Sequence, residues 1–437
     1  MNFPSPLDSS SPEEHDVLIV GGGQAGLSLS YYLKERDIEH LVLEKHELTH
    51  TWRTQRWDSF CLVTPNWQCH LPGHPYRGED PHGFMKKNEI IGYLQGFVEA
   101  LRPPAREGEA VQHVGSHPEG GFHVTSSKQR YRAREVVVAS GGYHTPIIPR
   151  LAERVPSGLL QVHSAQYRGP EVLPPGPVLV VGSGQSGAQI AEDLHLAGRK
   201  VYLATGDAPR CARFYRGKDV VDWLAEMGYY DMPVEKHPLR EGVRDNTNHY
   251  VTGRDGGRDI DLRRFALEGM ELFGRLTGLE GTVLRFLPDL KSNLDEADKV
   301  FNRINASIDR YIAERGIDAP PGAVYEPLWE PEGERTSLDL AQTGIVAIVW
   351  CIGFSPEFSW LDAPVFNGRG QPRHARGVTS VPGLYFLGLP WLHTWGSGRF
   401  SGVARDARFL AETIAARLLQ APVVEASARA RALEMPS

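Results

Sequence analysis

Two stretches of this chain carry glycines at the spacing that cradles a pyrophosphate. The first, DVLIVGGGQAG, places Gly21, Gly23 and Gly26; the second, PVLVVGSGQSG, places Gly182, Gly184 and Gly187. Each follows a short apolar run of strand character and opens a segment of helical character. In such a loop the first glycine makes the tight turn, the second lets the backbone approach the phosphates, and the third lets helix pack on strand. The helix N-terminus then offers free amides and the positive end of its dipole. Gln24 and Ala25 in the first loop, and Ser183, Gln185 and Ser186 in the second, stand where they would meet those phosphates. One such loop is a weak signal. Two in one chain suggest two dinucleotides facing each other, as when a nicotinamide passes a hydride to a flavin.

The neighbouring elements distinguish the two loops. After the first come a helix through Ser28, Tyr31 and Tyr32 and a second strand, HLVLEKH, which ends at Glu44 with Lys45 beside it. An acid there, close to the roughly 20-residue spacing of the motif, accepts the ribose hydroxyls of an adenosine. This predicts FAD on the first loop. After the second loop the helix AQIAEDLHLAG stops at Gly198, and the strand KVYLAT ends at Ala204 and Thr205 with no acid. Arg210, Arg213 and Arg216 follow. Thr205 with Arg210 and Arg213 suits a 2′-phosphate, so NADPH is expected over NADH.

Length and composition set the frame. The chain has 437 residues, 41 % hydrophobic and 23 % charged, with a formal net charge of −7. That is the composition of a globular chain of more than one domain, with no basic stripe for nucleic acid. No apolar run approaches the roughly 20 residues of a membrane helix. The start is polar and proline-rich without an apolar stretch, so a flexible tail over 1–14 on a cytoplasmic protein is expected. Cys61, Cys69, Cys211 and Cys351 form no close pair, which argues against disulfide reduction. His70, His74 and His82 lack metal-ligand spacing, and no metal is expected.

The expected fold class is α/β. Two Rossmann-like domains are predicted, the NADPH domain (169–335) inserted in a discontinuous FAD domain (1–168 and 336–437). GFHVTSS and QRYRAREVVVASGG read as an antiparallel meander returning to the first sheet. Residues 226–330 read as a helical insertion, as likely to pack on the nucleotide domain as to cap a substrate. The aromatic stretches 52–67 and 391–399 are candidate walls of a flavin pocket.

With these residues in view, the chain resembles the flavin-dependent monooxygenases of the two-dinucleotide type, over nearly its whole length. VVVASG is similar to that family's second flavin-side glycine motif at Ser140 and Gly141, and WCIGF at Gly353 to its partner motif. His163 and Tyr167 of HSAQYR fit the H-x-x-x-Y part of the family fingerprint, and Trp52 with Arg53 resembles the tryptophan that packs near the flavin. Gly388, after the strand GLYFLG, completes the expected flavin site. Thr49 and His50 replace the usual Gly-Gly, Val63 stands where N-oxygenating members carry asparagine, and Tyr167 where Baeyer–Villiger enzymes carry tryptophan. The stretch WDSF…TPNW…LPG is similar to a bacterial subfamily of flavin oxidoreductases associated with nitrilase gene clusters.

The resemblance implies an NADPH- and FAD-dependent monooxygenase. NADPH reduces FAD, molecular oxygen forms a flavin C4a-hydroperoxide, and a small nitrogen- or sulfur-containing substrate is oxygenated. Arg53 and Arg399 are the candidates for positive charge near the reduced flavin or its oxygen adduct. Two alternatives stay open: a flavin oxidoreductase that moves electrons without inserting oxygen, and a non-enzymatic redox sensor. A homodimer is the commonest symmetric state for such enzymes.

Overall fold

The computed structural model describes residues 11–420. Of the tail expected over 1–14, residues 1–10 lie outside the described residues, whereas Glu13 and Glu14 already belong to the first strand, Glu13–Val20. Glu13 is held there by Arg106 at 2.7 Å, and His15 by Glu39 at 2.7 Å. Charged residues extend the strand because partners from other elements meet them, which the local composition does not reveal.

The first sheet has a parallel heart. Ala105–Arg106, His40–Leu43, Glu13–Val20, Arg130–Val138 and Leu384–Phe386 lie side by side in that order, all parallel. The expected meander is present: Val111–Ser116, Phe122–Ser126 and the first half of Arg130–Val138 pair antiparallel. Alternate residues bury opposite faces. Val17, Ile19 and Val137 face the helix Gln24–Lys34, which packs on the C-terminal helix Val403–Gln420; Leu18, Val20, Val136 and Val138 face Phe122, Phe358 and Phe386. A strand buried on both faces reads as an unbroken apolar run, as VLIV does.

The second sheet is wholly parallel, in the order Leu160–His163, Ala347–Trp350, Val178–Val181, Val201–Ala204, Glu271–Phe273. Both outer boundaries expected from the sequence therefore move. Leu160–His163 and Ala347–Trp350 belong to this sheet, so the strand pairing divides the chain near 160 and 350 rather than at 169 and 335. A four-residue apolar run can join either sheet, and only the pairing decides.

Residues 226–330 are less helical than their periodicity suggests. IDLRRFALEGMELFGRL is helical only over Leu262–Leu267; Gly269, at φ +101°, turns the chain into the edge strand Glu271–Phe273. Leu276–Glu280 and Val283–Phe286 then form a small antiparallel sheet with Ser337–Asp339. The long helix Leu290–Arg315 follows the expected pattern and ends at Gly316 in the left-handed conformation, the usual glycine stop. Its Phe301, Ile308 and Ile312 pack against Val220 and Trp223.

Candidate functional site

In both loops the outer glycines serve the loop itself. A Cβ on Gly21 (φ +114°) would lie 2.7 Å from the Ala139 carbonyl oxygen, and one on Gly26 2.0 Å from that of Gly21. In the second loop the matching distances are 2.6 Å from Cys351 to Gly182 (φ +102°) and 1.8 Å from Gly182 to Gly187. The middle glycines differ. A Cβ on Gly23 would meet no atom within 4 Å, and one on Gly184 would first meet Thr247 Cγ2 at 3.4 Å. Each middle glycine thus faces open space before the helices Gln24–Lys34 and Gln185–Leu196, and among the described residues no side chain caps either N-terminus. Free amides around an open volume are what a pyrophosphate needs.

Glu44 stands at the end of His40–Leu43, as expected, with exposed Lys45 beside it. Its carboxylate accepts the Gly22 amide at 2.7 Å and the His46 amide at 3.0 Å, which fixes it against the first loop.

The glutamine shared by the two loops carries a second task. Gln24 accepts the Trp52 indole N–H at 2.9 Å and donates to the Gly398 carbonyl at 3.2 Å. Gln185 donates to the Val251 carbonyl at 2.7 Å and accepts the Val251 amide at 3.3 Å. Each glutamine therefore ties a distant segment over its own cradle. Trp52 stacks on Phe400 at 5.1 Å. Gly388 (φ +80°) lets the loop helix approach, since a Cβ there would lie 2.6 Å from that of Ala25. Ser140 Oγ is buried with no partner among the described residues, beside Gly141, whose surroundings are open. Gly353 is equally open, and its carbonyl accepts from His163 Nε2 at 3.0 Å. Burial pushes the His163 pKa down.

Tyr167 proves to be a joint between the two sheets. Its hydroxyl donates to buried Asp193 at 2.7 Å, and Asp193 also accepts from Ser59 at 2.6 Å and pairs with Arg254 at 2.6 Å. One carboxylate of the second unit's helix thereby anchors the aromatic stretch of the first. The segment over 229–248 likewise packs on the 391–399 loop: Val234, Val243 and Trp391 share a core with Tyr229 and Trp395.

Arg210 and Arg213 occupy other places than expected. Arg210 is 2 % exposed, bonded to Asp298 at 2.8 Å and stacked between Phe301 and Tyr325; Arg213 is 1 % exposed, paired with Asp219 and bonded to the Val63 carbonyl at 2.7 Å. Both guanidiniums are neutralised inside the fold, so neither offers free charge to a 2′-phosphate. Thr205 is also buried, its hydroxyl donating to the Phe273 carbonyl at 2.8 Å and accepting from Asn293. The cation beside this strand end is Arg275, half-exposed and 3.3 Å from Asp207. Sequence reasoning passed over it because it follows the edge strand Glu271–Phe273, which was read as helix.

Arg53 turns outward to Glu47 at 3.2 Å. Arg56, three residues on, turns toward Trp52 and Phe60. Its guanidinium lies 4.7 Å from the Trp52 ring and 5.5 Å from Phe60, with Nη1 donating to the Gln55 carbonyl at 2.8 Å. Arg399 lies 3.9 Å over Trp395, bonded to the Trp395 carbonyl and to Asn248 Oδ1 at 2.8 Å. Loss of solvent lowers the pKa of both arginines, and both feel the phenol of Tyr143.

The cysteines are all free. Burial pushes the Cys69 thiol up to about 12, which leaves no reactive thiolate there. Among the described residues no group of histidine, cysteine or carboxylate side chains is arranged to hold a metal, and no helix is long and apolar enough to cross a membrane.

Residues 18–225 match the pyridine nucleotide-disulphide oxidoreductase family. An uncharacterized CzcO-like oxidoreductase of Geobacillus kaustophilus is 32% identical over 406 residues, spanning 91% of this chain and 98% of that one. The chain belongs to the CzcO-like oxidoreductases. Solved structures share the fold of this CzcO-like protein at low identity. A mutant flavin monooxygenase from Stenotrophomonas maltophilia has TM-score 0.63 at 21% identity, covering 93% of this chain and 99% of that one. An ornithine N-hydroxylase from Kutzneria sp. 744, solved with reduced FAD, NADP+ and L-ornithine, has TM-score 0.61 at 17% identity, covering 93% and 100%. The expected α/β fold class stands.

Proposed function

We propose that this CzcO-like oxidoreductase binds FAD at Gly21–Gly23–Gly26 with Glu44 and NADPH at Gly182–Gly184–Gly187, and oxygenates a small nitrogen- or sulfur-containing nucleophile. The observation that carries the reading is a continuous line of contacts from one cradle to the other: Gln24 to Gly398, Arg399 to Asn248, and Thr247 beside Gly184. The residues present fit both groups. Gly23 and Gly184 leave cradles that only a Cβ would begin to fill, and Ser140 Oγ is a buried polar atom awaiting a partner. Arg275 takes the part first given to Arg210 and Arg213, since it is the half-exposed cation at the strand end where a 2′-phosphate would sit.

Bound FAD supplies a hydride acceptor for NADPH and the electrons that activate oxygen. The chain's own residues do the rest. Trp52, Phe60, Trp395 and Tyr230 wall the space near the flavin loop and reduce its access to water, which would divert oxygen to hydrogen peroxide. Gln24 holds Trp52 and Gly398 in place, so the wall and the cradle move as one body. Arg399 contributes a positive field where negative charge develops.

The test is the fate of oxygen. With purified holoenzyme, NADPH and a panel of amines and sulfides, isotope-labelled oxygen should appear in a product, and hydrogen peroxide should fall below the NADPH consumed. If peroxide equals NADPH for every nucleophile, the protein moves electrons without oxygen insertion.

A further inference from the structure

The buried arginines of the second unit all meet carboxylates. Arg210 pairs with Asp298, Arg213 with Asp219, and Arg263 with both Asp295 and Asp298. Arg56 and Arg399 break this pattern. Among the described residues neither has a carboxylate within ion-pair distance; Arg56 bonds only to the Gln55 carbonyl, and Arg399 to the Trp395 carbonyl and Asn248. A guanidinium has five N–H donors, so most of those on Arg56 and several on Arg399 remain free. Arg56 lies over the Trp52 ring and Arg399 over the Trp395 ring, which restricts where each guanidinium can sit. An oriented, unneutralised arginine is costly to hold in a partly dehydrated site unless an anion joins it.

The dinucleotide phosphates do not need these two side chains. Their charge is met by loop amides and helix N-termini at Gly23 and Gly184. The flavin ring in its oxidised form carries no charge to neutralise either. In the oxidised enzyme, the anion left to meet them is the substrate's.

We infer that Arg56 and Arg399 form an anion-recognition site, and that the substrate is a small organic acid whose carboxylate docks on these guanidiniums with its apolar body among the cleft's aromatic rings. Arg–carboxylate forks are the strong, oriented form of this contact. The oxygenation of that acid rests on the function proposed above; its binding does not.

The experiment is equilibrium binding to the oxidised holoenzyme, read from the shift in flavin absorbance. Phenylacetate, 3-phenylpropanoate, hexanoate and pyruvate are each compared with their primary amides. At least one acid should bind about tenfold or more tightly than its amide, the worth of one charge-assisted hydrogen bond. Arg56→Gln and Arg399→Gln should each weaken the acid by about tenfold while amide binding and flavin content stay unchanged, and Arg56→Gln should also leave the Kd for NADPH unchanged; Arg→Lys at either position should recover part of the loss. Equal binding of acid and amide across the panel overturns the inference. So does a pattern in which the Gln variants lose flavin or NADPH and keep the acid, because the arginines would then serve the cofactors. An acid that binds selectively leaves the inference standing whether or not oxygen is inserted; the monooxygenase reading falls separately, if peroxide equals the NADPH consumed for every nucleophile.

Discussion

Arg399 donates to Asn248 across 2.8 Å, and that single bond joins the surroundings of one glycine cradle to those of the other. Arg399 follows Gly398, whose carbonyl is held by Gln24 of the first loop. Asn248 follows Thr247, whose methyl group is the nearest atom to a Cβ built on Gly184 of the second. Residues about 150 apart in sequence thus bring the surroundings of the two glycine cradles together, as the proposed hydride transfer requires.

The two kinds of loop glycine should separate on substitution. Gly26→Ala and Gly187→Ala place a methyl group 2.0 Å and 1.8 Å from a loop carbonyl oxygen, so each should lose at least about 1–3 kcal/mol of stability. Gly23→Ala meets no such atom. Its Tm should match the parent while flavin content falls sharply, as thermal unfolding and absorbance together will report.

Cofactor preference should follow Arg275. Arg275→Ser should reduce the NADPH-over-NADH ratio of kcat/KM by about tenfold with little change in Tm, because one exposed charge-assisted contact is lost. Arg210→Gln should do the reverse. It removes one of the two arginines on buried Asp298 and leaves Arg263 as its partner, so it should cost about 1–3 kcal/mol and leave the ratio of the surviving protein unchanged.

Tyr167→Phe removes one of three donors to buried Asp193. Urea unfolding should show a loss of about 1 kcal/mol. Asp193→Ala should cost more, since Ser59, Tyr167 and Arg254 all lose their acceptor. Neither change touches a glycine cradle, so the Kd for NADPH in the folded fraction is the control.

Acid stability should depend on His249 and His374. Burial lowers both pKa values to about 4, with Arg303 adding to the effect at His249 and Arg244 at His374. A histidine kept neutral in the folded state but free to protonate near pH 6.5 in the unfolded chain favours unfolding as pH falls. Stability should therefore decline from about pH 6.5 to about 4 and level off below the folded values. Urea midpoints across that range should decline less steeply for His374→Gln than for the parent.

The local features of the chain were legible from its residues alone. Glycine spacing, the apolar runs before each loop and Glu44 after the second strand specify two cradles and the elements that form them, because turn sterics and strand burial are properties of a few adjacent residues. The missing cysteine pair was equally plain. What spans distance was not. The strand Ala347–Trp350 could have joined either sheet until its pairing with Val178–Val181 was known. Arg210 and Arg213 looked like phosphate ligands because their partners Asp298 and Asp219 are set beside them only by the fold. Arg53 and Arg56 are three residues apart in one short stretch, yet one faces Glu47 and the other lies over the Trp52 ring. A charge is free or neutralised according to what the fold sets beside it, and that is a property of tertiary packing rather than of neighbours in sequence.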